Sequence, residues 1–145
     1  MNIFIPQDKE VILNKKSLFV ILKPFFQNGQ WVNNNSYYNW NLNRINIVTD
    51  LKKSDVLCIP MPINYYYENK MIYLIKKYNG YCENFKIPGF GIISGDFGME
   101  LPEFNDIVYF RMSGFRSSLS LKNQGFHASL SDQYKKIYEP DEILI

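Results

Sequence analysis

Three short segments concentrate the side chains that handle hydroxylated or anionic ligands. They are Pro60-Met61-Pro62-Ile63-Asn64-Tyr65-Tyr66-Tyr67, then Ser94-Gly95-Asp96-Phe97-Gly98, then Arg111-Met112-Ser113-Gly114-Phe115-Arg116-Ser117-Ser118. Asp96, set between glycines, has the type of a general base or of a hydrogen-bond acceptor for sugar hydroxyls; Asp in a turn also binds backbone N–H groups. Arg111 and Arg116 suit bidentate capture of a carboxylate or phosphate. The bland alternative for Arg111 is an ion pair with Asp106 or Glu103. Tyr65, Tyr66 and Tyr67 have the makings of a stacking platform or of half-buried packing at a helix start.

Each segment follows a short apolar run, and those runs must position it. Asp55–Ile59, Gly91–Ser94 and Ile107–Phe110 read as buried strands, the first stopped by Pro60. Ile3-Phe4-Ile5 reads as a strand stopped by Pro6, and Ile45–Val48 as another, followed by a helical turn at Asp50–Lys53. Ser17–Phe26 is apolar enough for a buried helix, with Pro24 limiting its last turn. Tyr65–Tyr78 carries apolar residues at helical spacing with lysines opposite, and predicts one amphipathic helix ending at Asn79-Gly80. Ser131–Tyr138 predicts a closing helix with Ser131 as N-cap. Gln27–Asn43 has almost no periodicity; it reads as a long loop or short irregular helix, and loops of that length are often binding elements. Strands alternating with helices predict an α/β fold, a Rossmann-like open parallel sheet flanked by helices in a single three-layer domain over residues 1–145. In such sheets ligands gather beyond the carboxyl ends of the strands, where the three segments fall.

Composition narrows the classes. The chain has 145 residues, 46% of them hydrophobic, which suits one domain with a real core and excludes disorder. A net charge of +2 is too small to point to nucleic acid or an anionic membrane. Two cysteines cannot form a disulfide framework, and with one histidine they do not complete a four-ligand zinc site, so no metal is expected. Cys58 and Cys82 read as reduced, structural thiols, and a Cys82–His127 hydrolase dyad lacks any sequence feature that brings the two together. No apolar run approaches the ~20 residues that span a bilayer. Met1–Pro6 does not read as a secretory signal, and the expected location is cytoplasmic, peripheral association with a membrane staying open. Gly89-Phe90-Gly91 starts like a dinucleotide fingerprint, but it lacks the third glycine and precedes a strand instead of following one.

In order and spacing, Ser94–Gly98, the strand after it and Phe110–Leu119 resemble the N-terminal half of exostosin-like glycosyltransferases. A helix ending Pro24-Phe25-Phe26, and an Asp55–Pro62 strand running into Asn64-Tyr65-Tyr66, extend the resemblance over roughly Ser17 to Tyr138. It implies a two-lobed enzyme of the GT-B type, of which this chain is the acceptor-side lobe. Asp96 would then orient or deprotonate an acceptor hydroxyl, while Arg111 or Arg116 grips an acidic sugar or phosphate. Gly95, Ser113, Asn64 and Tyr65 would complete the saccharide acceptor site. The resemblance implies a nucleotide-sugar donor for the complete enzyme and no cofactor within this chain. The donor would be held by a C-terminal lobe or a partner chain, reached through a linker starting at 139–145. The same edge also suits a non-catalytic carbohydrate- or small-molecule-binding domain, with saturable sugar binding and no transfer.

Overall fold

The computed structural model describes residues 1–33, 36–37, 40–41, 44–94, 104–111 and 123–125. Its strands are β1 (Asn2–Phe4), β2 (Phe26–Gln27), β3 (Gln30–Trp31), β4 (Ser36–Tyr37), β5 (Trp40–Asn41), β6 (Asn46–Val48), β7 (Val56–Cys58), β8 (Gly89–Ile93), β9 (Ile107–Arg111) and β10 (Asn123–Gly125). Two α-helices, α1 (Ile63–Glu68) and α2 (Ile72–Phe85), follow β7, and 3-10 turns cover Val20–Phe25 and Leu51–Lys53. Six strands form one sheet in the order β10-β9-β8-β7-β1-β6, every neighbouring pair parallel. The expected α/β architecture, a small Rossmann-like parallel sheet flanked by helices, is therefore what the chain adopts. The order doubles back between β1 and β7, the switch point at which doubly wound sheets open a crevice at their carboxyl edge.

Alternation along the strands fills a layer on each face. Leu57, Ile59, Ile93, Ile107 and Tyr109 face α1 and α2, where Ile63, Tyr66, Leu74, Ile75, Tyr78 and Cys82 close the core. Ile3, Ile5, Cys58 and Ile92 face the opposite way, against Phe19 and Leu22 of the N-terminal segment. Gly89 and Gly91 explain the false start of a dinucleotide motif. They lie inside β8, where a Cβ would come within 2.9 Å of Cys82 Sγ at Gly89 and of Ile63 Cδ1 at Gly91. Glycine lets the helices sit close on the sheet; it does not cradle a phosphate.

Several elements differ from expectation for identifiable reasons. The Ser17–Phe26 helix is a 3-10 turn over Val20–Phe25, because Pro24 supplies no N–H and its ring opposes an α-helical i−4 carbonyl. The Tyr65–Tyr78 helix is two helices: Lys70 takes φ 57° and breaks the run, and Met71 N–H then caps back onto the Tyr66 carbonyl at 2.7 Å. α2 runs through Gly80, where a Cβ would meet nothing within 4 Å, and stops at the left-handed Lys86. Within Gln27–Asn43, the described residues include strands in place of the expected long loop or irregular helix: β2 and β3 make a hairpin, and β4 pairs with β5. The β2–β3 turn has Asn28 at φ 51° and Gly29 at φ 79°, the two positive values a tight hairpin turn requires. The Asp50–Lys53 turn forms as expected, Asp50 Oδ1 accepting from Lys52 N–H at 3.0 Å. The Ser131–Tyr138 helix and the 139–145 linker lie outside the described residues, among which no helix is long and apolar enough to cross a membrane.

Candidate functional site

The sheet order puts the strands that lead into the three chemistry-bearing segments side by side. β7, β8 and β9 are consecutive neighbours, and all point the same way, so Pro60, Ser94 and Arg111, where the segments begin, lie at one carboxyl edge. Ile93 pairs with Arg111 in register, so Ser94 and Arg111 end adjacent strands.

Asn64, in the first turn of α1, joins the first two segments. Its Oδ1 accepts from both the backbone N–H and the hydroxyl of Ser94, each at 3.1 Å. That bridge fixes the backbone at the residue before Gly95-Asp96. Tyr65 turns to the helix layer: its hydroxyl accepts from Ile12 N–H at 3.0 Å, and its ring meets Tyr66 edge-on at 5.5 Å. Tyr65 and Tyr66 thus pack against each other, Tyr66 being wholly buried, while Tyr67 lies on the surface. Arg111 is 5% exposed, a guanidinium drawn into the protein at the end of β9. Gly95, Asp96, Ser113 and Arg116 lie outside the described residues, as do Glu103 and His127.

The cysteines sit in surroundings that disfavour the thiolate. Both are free and buried, and burial pushes each thiol up to about 12, so the reactive thiolate is suppressed at neutral pH. The histidine of a Cys82–His127 dyad lies outside the described residues. Among the described residues no group of three or more His, Cys, Asp or Glu side chains is placed to hold a metal ion.

A second feature of the carboxyl edge comes from residues that motif reasoning passed over. A cavity of about 400 Å³ opens beyond β1 and β6. Its polar lining is Gln7, Gln30, Asn33 and Thr49, with the Trp31 ring, Leu13 and Ile47 as its apolar part. Asn33 Oδ1 accepts from Ile47 N–H at 2.7 Å, and the Trp31 ring packs on Phe26 at 4.9 Å, so two lining side chains are held in place. The available signal was Asn28-Gly29, a hairpin turn inside a segment already expected to bind.

A strap leads from β1 past this cavity and across the helices. Asp8 meets Lys77 Nζ at 2.5 Å and accepts from the Tyr78 hydroxyl at 2.8 Å, and the Tyr73 hydroxyl donates to Glu10. The hydrogen bond to Asp8 holds the Lys77 ammonium above its ordinary range; that to Glu10 raises Tyr73. Burial, followed by the neighbouring Tyr66, pushes the Tyr78 hydroxyl far up.

No family model, curated protein or solved structure matches the chain.

Proposed function

We propose that this chain is the acceptor-side lobe of an exostosin-like, nucleotide-sugar-dependent glycosyltransferase working in polysaccharide or glycoconjugate assembly in the cytoplasm. The observation that supports it best is the joining of the strand ends of β7, β8 and β9 on one carboxyl edge, with Asn64 bridging to Ser94 and Arg111 beside it. In this assignment the Arg111 guanidinium, with Arg116, pairs with an acidic group on the saccharide acceptor. Asp96, two residues beyond Ser94, orients or deprotonates the attacking hydroxyl. Gly95 and Ser113 supply hydrogen bonds, and Asn64 acts by holding Ser94. A C-terminal lobe or a partner chain brings the nucleotide-sugar donor.

The test is sugar transfer by the native polypeptide with any chain that copurifies, using labelled nucleotide sugars and oligosaccharide acceptors. Loss of a general base costs ~10²–10⁴ in rate, so Asp96→Asn should lose turnover on that scale. Near-normal turnover in that variant would reduce Asp96 to a turn residue. A second reading, a carbohydrate-binding domain without catalysis, draws on the cavity beyond β1 and β6, whose described lining is uncharged. Saturable saccharide binding with no transfer to any acceptor would favour it.

A further inference from the structure

From the cavity beyond β1 and β6 we infer a binding site for a neutral, polyhydroxylated small molecule of monosaccharide size. It goes beyond the acceptor edge proposed above, because it uses none of that edge's residues and lies on the other side of the β1–β7 switch point. The volume of about 400 Å³ falls in the ~300–1,000 Å³ range of small-molecule sites, toward its lower end.

The lining chooses the ligand class. Among the described residues no lining side chain carries a charge, so none of them repays the desolvation of a phosphate or carboxylate. Gln7, Gln30 and Asn33 each bring a carboxamide that can donate and accept at once, and Thr49 brings a hydroxyl. Vicinal hydroxyls need that dual character, since each both donates and accepts. Trp31, Leu13 and Ile47 provide the apolar surface that the C–H face of a pyranose or cyclitol covers. The site is also partly built in advance. Ile47 N–H pins the Asn33 carboxamide through its oxygen, and Phe26 fixes the Trp31 ring, so binding orders fewer side chains.

The test is an NMR titration of the 15N-labelled chain with glucose, galactose, mannose, N-acetylglucosamine and myo-inositol, glucose 6-phosphate being the charged control. The expected result is saturable shifting of the Gly29, Gln30, Asn33 and Thr49 amides by at least one neutral probe, with Kd on the order of 1 mM. Glucose 6-phosphate binds more weakly. Two lost hydrogen-bonding groups make Gln30→Ala/Thr49→Val bind roughly tenfold or more weakly, with the rest of its spectrum native. Should the double variant fold poorly, Gln30→Ala alone, at an exposed position, carries the comparison. No saturable shift across the neutral panel overturns the inference. So does tighter binding of glucose 6-phosphate, or undiminished affinity in the variant. Because Asp96 and Arg111 take no part, these outcomes are separable from a failure of sugar transfer.

Discussion

The two layers that cover this sheet are built differently. On one face α1 and α2 bury Ile63, Tyr66, Leu74, Ile75, Tyr78 and Cys82 directly against β7, β8 and β9. On the other, the segment around Phe19 and the 3-10 turn carrying Leu22 bury a smaller set, tied to the sheet by Phe19 N–H on the Pro60 carbonyl at 2.9 Å. A cavity of about 400 Å³ lies at the carboxyl end of β1 and β6, lined by the N-terminal segment and the β2–β3 hairpin and not by α1 or α2. Regular helix packing and this ligand space thus belong to different parts of one sheet.

The largest effect that tests this division is a matched pair of truncations. Ile75 and Leu22 are both wholly buried, one in each layer, and each change to alanine should cost ~2–5 kcal/mol by chemical denaturation. A Leu22→Ala cost well below 1 kcal/mol would show that the irregular layer is not part of the cooperative core. Next, Gly89→Ala should cost ~1–3 kcal/mol, because its methyl group would overlap Cys82 Sγ and Ile107 Cγ1, both 2.9 Å away. A neutral outcome would mean the helix layer relaxes more freely than regular helix packing should.

Alkali probes one thiol on each face, Cys82 beneath the helices and Cys58 beneath the irregular layer. Cys58 and Cys82 are raised from 9.0 to about 12, so below pH 9 both states hold their protons and the full stability is present. Between pH 9 and 12 the unfolded chain sheds these protons while the folded chain keeps them, so stability must fall as pH rises. Denaturation at pH 8 and pH 10 should show this drop, and Cys58→Ala/Cys82→Ala should flatten it. An equal slope in the variant would place the loss in the buried tyrosines instead. The smallest expected effect concerns Trp31, whose buried Nε1–H has no hydrogen-bond partner among the described residues. Removing an unsatisfied donor offsets the lost ring area, so Trp31→Phe should change stability by less than about 1 kcal/mol. A cost of several kcal/mol would reveal a partner for that donor.

Legibility followed the same division. Strands buried on both faces announce themselves as continuous apolar runs, which is why β7, β8, β9 and the edge they share were visible in the sequence. The α1–α2 break was not, because apolar spacing continues across it and a lysine in the left-handed region leaves no compositional mark. β10, Asn123-Gln124-Gly125, has no apolar residue to signal a strand and owes its place to pairing with β9. The shared strand-end edge was legible because each segment that leaves it follows a recognisable strand. The cavity was not, because its lining is drawn from separate stretches around residues 7, 13, 30 and 48 that no single motif spans.

The most direct test of the acceptor-edge proposal is a titration of the 15N-labelled chain with a glucuronate-containing disaccharide, followed by UDP-glucose. The account predicts saturable shifts at Ser94, the Asn64 carboxamide and Arg111 with the disaccharide, and none with UDP-glucose. Shifts at that edge with UDP-glucose, or an edge silent to the disaccharide, would contradict it.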